Sequence, residues 1–552
     1  MIRPDDWKPA GGLVLEPNAF SAATEQVRSL ALTAGPGAGK TEMLAQRADF
    51  LLQTGVSPYP KRILAISFKV DASKNLKARV QKRCGSEMAA RLDSYTFHGF
   101  AKRIIDIFRP VLTGLDTLDP DYTVGDVRVD KKQITFADMI PMAVEILSNC
   151  AVARQALHQA YSDVFLDEFQ DCTDGQYKLV KLAFLGSEIR MIAVGDTKQR
   201  IMSWAGALEG VFAEYAEDFT ATSLNLFRNF RSKGKLLRLQ NEIIKTLDPP
   251  SVMSEELIPD NDGSIQIVNF PSCAQEAEYV AQTISHWIEN GVPISEIAVL
   301  VRVQVGPYTE KIVDHLNALD IPCRNEQDLQ ELASEPLTEF ISDFLLVLFG
   351  EKEPDAWTRL NDSFNIISHS SGAQDEPLFF SDFLNDTFLK IREDSDLFAP
   401  FEAKWELVNT LIQQIGPSRL PLLSIDYENP QRVADLIEQT KAAIEDAIEL
   451  TPDIVSAIKR LDEVHAVRLL TIHKSKGLEF EAVILLGIEN EAYFGNPNES
   501  LCTYFVGVSR AKNDLVLTCC DYRERPTEEV KRWNSNRTEQ KKYMDFVRCV
   551  AD

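Results

Sequence analysis

Short apolar runs bounded by turn residues alternate along this chain with longer segments whose apolar positions recur every three to four residues. Ser29-Leu30-Ala31-Leu32-Thr33, Ile63-Leu64-Ala65-Ile66-Ser67, Val164-Phe165-Leu166 and Met191-Ile192-Ala193-Val194 have the length and continuity of strands buried on both faces. Residues 41–53 and 72–82 predict amphipathic helices between them. Strand and helix in alternation imply a doubly wound α/β domain with a parallel sheet. A second set follows. It comprises Ser264-Ile265-Gln266-Ile267-Val268, a helix over 275–290, Ile297-Ala298-Val299-Leu300-Val301, Val467-Arg468-Leu469-Leu470-Thr471, Ala482-Val483-Ile484-Leu485-Leu486 and Asp514-Leu515-Val516-Leu517-Thr518.

Two stretches break the alternation and read as helical. The fold class expected is therefore α/β, with two doubly wound parallel-sheet domains, each interrupted by a helical insertion. Residues 1–106 and 161–232 form the first lobe, with 107–160 inserted. Residues 233–350 and 456–552 form the second, with 351–455 inserted, where helices are expected over 401–414 and 430–449. A chain of 552 residues is long enough for two to four such units.

The segment Ala34-Gly35-Pro36-Gly37-Ala38-Gly39-Lys40-Thr41 follows a predicted strand and opens a predicted helix, with Glu42 next. Its glycines let successive backbone N–H groups converge on an anion, and the positive end of the helix dipole reinforces them. ATP is the ligand this loop suits. Lys40 reaches its β and γ phosphates, and Thr41 ligates Mg²⁺. Downstream, Val164-Phe165-Leu166-Asp167-Glu168 is an apolar strand ending in two carboxylates, at the edge where parallel sheets present catalytic groups. Asp167 is the expected second Mg²⁺ ligand, and Glu168 the group that polarises the attacking water.

Composition narrows the remaining classes. Hydrophobic residues at 45% and charged residues at 26% are a globular balance. Nine cysteines and seven histidines form no recognisable metal-ligand spacing. No apolar stretch approaches the ~18 residues that span a bilayer, and residues 1–6 have no signal-peptide core, so the expected location is the cytoplasm, with no membrane partner. The net charge of −25 speaks against a phosphate-binding surface overall. Local sign differs: Lys61, Arg62, Lys69, Lys74, Lys77, Arg79, Lys82 and Arg83 face a single acid, Asp71, and Arg228, Arg231, Lys233, Lys235 and Arg238 face none. Each run suits a solvated helix face as readily as a phosphate track.

Six further segments carry a resemblance. They are Ser67-Phe68-Lys69 with Thr96-Phe97-His98-Gly99-Phe100-Ala101, Asp167-Glu168-Phe169-Gln170-Asp171, the run from Val194 through Gln199 and Trp204 to Ala207, Asn229-Phe230-Arg231-Ser232, Thr471-Ile472-His473-Lys474-Ser475-Lys476-Gly477-Leu478-Glu479-Phe480, and Val506-Gly507-Val508-Ser509-Arg510-Ala511. In that order they resemble the motifs of the UvrD, Rep and PcrA group of superfamily 1 helicases. The resemblance implies two RecA-like domains and an ATP-driven motor moving 3′ to 5′ on single-stranded or tailed duplex DNA without sequence specificity. Gln199 then senses the γ-phosphate, Arg231 and Arg510 act as arginine fingers, and Glu479 contacts the ribose. Phe68 and Trp204 touch bases, while Thr96, His98 and His473 lie near the DNA backbone; for Phe68 a core position stays open.

The chain departs from that group in places. Met202 and Ala205 replace a frequent Tyr and Arg, and the usual N-terminal glutamine is missing, with Asn18 or Gln26 as candidate adenine readers. Both insertions look short, and only about forty residues follow Arg510. DNA repair, recombination and anti-phage defence are all open roles. The last would resemble Gabija-type defence helicases, which act with an OLD-like nuclease. The alternative activity is a DNA-stimulated ATPase switch that regulates a partner nuclease without processive unwinding.

Overall fold

The computed structural model describes residues 2–551 except 69, 125–126, 202–206, 209, 260–261, 326–331, 333–334, 352, 369–375, 395, 425–426, 428–429, 450–452, 463–465, 528–529 and 531. Fourteen strands are described: β1 Leu30–Ala34, β2 Arg62–Ser67, β3 Leu92–Thr96, β4 Leu118–Val124, β5 Lys131–Ile134, β6 Tyr161–Leu166, β7 Arg190–Gly195, β8 Thr222–Leu226, β9 Ser264–Ser272, β10 Ile297–Val301, β11 Cys323–Asn325, β12 Val467–Thr471, β13 Phe480–Leu485 and β14 Ala511–Tyr522. The first sheet runs β3-β2-β6-β7-β1-β8 and the second β11-β12-β10-β13-β14-β9. Every described pairing in both sheets is parallel.

The central strands are the ones whose sequence is continuously apolar, because helices cover both of their faces. β6 and β10 are buried at every position. The strands that apolar runs did not reveal are mostly at edges: β3 is Leu-Asp-Ser-Tyr-Thr and β8 is Thr-Ser-Leu-Asn-Leu, each largely half-exposed. In the second lobe, the buried Arg523 pairs with Glu276 at 2.8 Å and Glu489 at 2.7 Å, tying the segment after β14 to the helix Cys273–Glu289.

The two insertions are built differently. The first is not purely helical as the sequence suggested, since β4 and β5 pair as a short ribbon. Its Tyr122, Ile134, Met139 and Ile146 share one core with Leu64, Ile66, Val164 and Leu166 of the first sheet. The second has a separate core that begins before residue 351: Leu337, Phe340 and Phe344 of the helix Pro336–Phe349 pack with Leu360, Trp405, Val408, Leu436 and Ile458. Its edge shifts because that helix is apolar nearly all round and needs cover on every side. Among the described residues, no single helix is long and apolar enough to cross a membrane.

Candidate functional site: a nucleotide cleft between two lobes

β1 ends at Ala34, and the loop that follows turns into the helix Lys40–Thr54. Gly37 and Gly39 hold φ of 69° and 78°, a left-handed backbone that a side chain would strain. At Gly37 a Cβ would also collide with the Asn229 side chain and come within 2.6 Å of Arg231 Cβ. The loop's N–H groups and the helix N-terminus make an anion site, and Lys40 and Thr41 are the first two residues of that helix.

Asp167 and Glu168 leave the C-terminal end of β6, and the Asp167 N–H donates to Ile66 O at 3.0 Å. Glu168 is a non-glycine residue at φ 50°, a conformation that costs on the order of 1–3 kcal/mol and persists only where surroundings impose it. Gln170 is one such restraint, donating to Glu168 Oε2 at 2.6 Å and accepting from the Asp196 N–H at 2.9 Å. Burial and the neighbouring Glu168 charge raise the Asp167 carboxyl above its usual range. Burial would raise Glu168 too, but Lys40, Lys476, the Gln170 hydrogen bond and Arg510 outweigh it and keep Glu168 ionised. Asp167 is thus a buried carboxylate beside a second one, with the Lys40 charge offsetting part of that cost. With the Thr41 hydroxyl it forms an all-oxygen donor set suited to Mg²⁺, which needs few protein ligands because substrate phosphates supply the rest.

The second lobe closes the cleft. Arg510, 1% exposed, donates to Gln199 Oε1 at 3.0 Å, to the carbonyls of Leu478 and Val506 at 3.0 Å and to Ser509 Oγ at 2.9 Å. Burial and the charge of Arg231 lower its pKa to about 9. Gln199 is fixed in turn by donating to Asp196 Oδ2 at 2.9 Å. Arg231 donates to Glu479 Oε2 at 2.6 Å and to Ser509 O at 2.9 Å. Two lysines bridge the lobes below: Lys476 forms an ion pair with Asp171 and donates to Gln199 O at 3.0 Å, and Lys198 lies 2.9 Å from Asp196 and 3.6 Å from Asp248.

A cleft of about 520 Å³ gathers Gly37, Ala38, Gly39, Lys40, Thr41, Glu42, Asp167, Glu168, Gln199, Arg231, Glu479 and Arg510. Ala34 and Gly35 are not in its lining and face a smaller hollow behind the loop, with Thr33 and Asn225. Glu42 lines the cleft, yet its carboxylate is engaged by Arg83, by Arg79 at 3.3 Å and by Gln46 at 2.9 Å. Neither proposed adenine reader reaches the cleft. Asn18 donates to Asn225 O at 2.7 Å, and Gln26 precedes β1, at the far end of that strand from the phosphate loop. Sequence reasoning missed Lys476, Arg79 and Phe230, all of which line the cleft. The signal was present for two of them. Lys476 and Phe230 sit inside segments whose neighbours had been singled out, and Phe230 is an aromatic ring 64% exposed.

The residues expected near DNA divide. Phe68, Thr96 and His98 line one groove of about 770 Å³, with Tyr95, Lys102, Arg103 and Phe136. Phe68 is half-buried and packs edge-on to Phe97 with centroids 6.2 Å apart, so it belongs partly to the core and partly to the groove. His98 stacks on Phe136 at 3.9 Å, and Phe136 is 54% exposed; this ring from the first insertion had not been anticipated. The Thr96 hydroxyl accepts from the Gly99 N–H at 3.1 Å and caps the helix Phe97–Phe108. His473 is not in the groove lining. It sits in the second lobe with Nδ1 3.4 Å from Arg302, its pKa lowered to about 4 by burial and that guanidinium. Trp204, with Met202 and Ala205, lies outside the described residues.

The basic runs are not continuous tracks. Arg79 and Arg83 turn to Glu42, Arg62 donates to Asp93 at 2.8 Å, Lys61 donates to His158 O at 3.1 Å, and Arg238 pairs with Glu255.

A phosphate loop and a strand-end carboxylate pair on one parallel-sheet lobe, faced by arginines held on another, define a two-lobed P-loop nucleoside triphosphatase. The UvrD/REP helicase N-terminal domain family matches residues 15–126 and 121–220, and the UvrD-like helicase C-terminal domain family matches 224–368 and 403–522. The chain belongs to the UvrD-like helicases, ATP-hydrolysing DNA helicases. It is 25% identical to the ATP-dependent DNA helicase PcrA of Staphylococcus epidermidis, over 86% of this chain and 78% of that one. To PcrA of Staphylococcus aureus it is also 25% identical, over 84% and 76%. To DNA helicase II of Haemophilus influenzae it is 23% identical, over 71% of this chain and 59% of the other.

Proposed function

We propose that this helicase is a translocase that moves 3′ to 5′ on single-stranded DNA and displaces the strand ahead of it, acting in DNA repair, recombination or anti-phage defence. One observation carries the reading: the groups that would surround ATP come from both lobes, Lys40 and Glu168 from one and Glu479 and Arg510 from the other, around a single cleft. A ligand held by both lobes stabilises the closed arrangement over the open one, and its hydrolysis releases that bias. Lys40 binds the β and γ phosphates, Glu168 orients the attacking water and takes its proton, and Arg231 and Arg510 neutralise the charge that develops on the transferred group. Thr41 and Asp167 would hold Mg²⁺, which would supply further neutralisation of the phosphates. The groove of Phe68, His98 and Phe136 offers rings on which bases of any identity can stack.

The test is strand displacement by the isolated protein on a duplex with a 3′ single-stranded tail. Displacement that needs ATP and the 3′ tail, and is lost in Lys40→Ala and Arg510→Ala, is the expected result. DNA-stimulated hydrolysis without displacement would instead favour the switch that regulates a partner nuclease, and full DNA-stimulated ATPase in both variants would remove the reading altogether.

A further inference from the structure

We propose that Gln240 is a positioning residue for the arginine pair, acting through a hydrogen-bonded ring with Asn229 and Ser232. This rests on Arg231 and Arg510 serving the cleft as described above. The segment 229–232 lies in the connection 227–233 between β8 and the helix Gly234–Leu247, the strap by which the first lobe becomes the second. Both of its ends are anchored at the site. The Phe230 N–H donates to Gly37 O of the phosphate loop at 2.9 Å. The Ser232 hydroxyl donates to Ala511 O at 2.8 Å, and the Lys233 N–H to Lys512 O at 2.9 Å, on the two residues that follow Arg510.

Between these anchors one side chain sets the turn. Asn229 Oδ1 accepts from the N–H groups of Arg231 at 2.7 Å and Ser232 at 3.2 Å. The Asn229 amide then donates to Gln240 Oε1 at 3.2 Å, and the Gln240 amide donates to Ser232 Oγ at 3.1 Å, closing the ring. Gln240 is buried on a helix whose other buried positions include Leu236, Leu237, Leu239, Ile243 and Ile244. A buried amide is costly unless its hydrogen bonds are met. The amide is used by the strap: it holds Asn229 against the turn that aims Arg231, and it holds the Ser232 hydroxyl against the backbone beside Arg510. Because Gly37 O accepts from the Phe230 N–H, and there is no room for even a Cβ between Gly37 and the side chains of Asn229 and Arg231, a shift of the phosphate loop reaches the same ring directly.

The experiment measures DNA-stimulated kcat and KM for ATP, with equilibrium binding of a fluorescent ATP analogue, in Gln240→Leu and Ser232→Ala. Ser232→Ala breaks the ring with the smallest change in volume and decides the matter if Gln240→Leu does not fold. Misplacing a group that acts in the transition state costs on the order of tenfold to a hundredfold in turnover, so kcat should fall by that factor while KM and analogue affinity stay within about twofold. Gln240→Glu keeps the acceptor for Asn229 and should recover part of the loss. In the Arg231→Ala background, adding Gln240→Leu should cost little more, since the group being positioned is already gone. Unchanged kcat in both ring variants, or losses that multiply with Arg231→Ala, would overturn the inference. If Arg231→Ala and Arg510→Ala themselves kept full turnover, the reading of the cleft would fail first; if they lose it while the ring variants do not, only the role of Gln240 fails.

Discussion

Replacing Lys476 by methionine should open the cleft without unfolding either lobe. The side chains of Lys476 and Asp171 are 5% and 4% exposed, and they sit on opposite lobes. Methionine keeps most of the stem's volume and removes the charge, which takes from the buried Asp171 the cation that faces it across the cleft in the closed state and also deletes the hydrogen bond to Gln199 O. Removing one partner of a buried pair typically costs about 3–5 kcal/mol, equivalent to roughly two to three and a half orders of magnitude in an equilibrium. Because the pair spans two bodies, Asp171 can regain water by separation of the lobes, so the cost falls on closure rather than on folding. Lys198 still bridges Asp196 and Asp248, so the upper end of that range is not reached. The expected outcome is a longer interlobe distance without nucleotide, read by energy transfer between dyes on the two lobes. With it go a KM for ATP raised by roughly tenfold to several hundredfold and a melting temperature changed by only a few degrees. An unchanged dye distance with KM within threefold of the parent would refute the argument that this pair sets closure.

Three other perturbations follow from the geometry. Phe136→Ala should weaken single-stranded DNA binding by about 1–3 kcal/mol per stacked base, roughly fivefold to a hundredfold by fluorescence anisotropy, while ATPase without DNA is unchanged. Gly37→Ala should abolish nucleotide binding measured by calorimetry in a protein that still folds, since the new methyl group meets the strap and the backbone is left-handed. Asp138→Ala should destabilise the first lobe by about 1 kcal/mol in urea melts at neutral pH, because Asp138 accepts from the Thr135 N–H at 2.8 Å and completes the capping box of the helix Phe136–Asn149. Burial raises the Asp138 pKa, but these hydrogen bonds and Arg128 outweigh it and lower it. Its contribution is therefore present above the unfolded carboxylate pKa and lost as pH falls through the lower folded value, so parent and variant should converge in acid.

What the sequence made legible follows from how each signal is generated. Central strands announce themselves because both faces must be apolar, which is why β1, β2, β6, β7 and β10 were all found near their observed limits. β3 and β8 were missed because an edge strand is half-solvated and may carry Asp, Ser and Asn. The phosphate loop and the Asp167–Glu168 pair were readable as chemistry, since glycines before a helix and acids after a strand are each local patterns. Glu42 was assigned by adjacency alone, and its engagement with Arg79 and Arg83 depends on a helix more than thirty residues later. The basic run that looked like a phosphate track is dispersed for the same reason: Arg62 on β2 turns to Asp93, while Arg79 and Arg83 on the helix that follows turn back to Glu42, acids that only the fold brings near. Gln26 failed as an adenine reader because closeness in sequence to a loop says nothing about which end of a strand a residue occupies.

The contrast between the two insertions bears on what the chain can lose. The first contributes side chains to the same interior as its host sheet and the helices that cover it, so excising it would expose apolar surface of that core. The second is wrapped around its own Phe340, Leu360 and Trp405, a core separate from that of its host sheet, with Ser424 reaching the groove of Phe68 and His98. Its interior can therefore vary in size and composition without disturbing the sheet behind the nucleotide cleft, whereas a change inside the first is felt by that sheet.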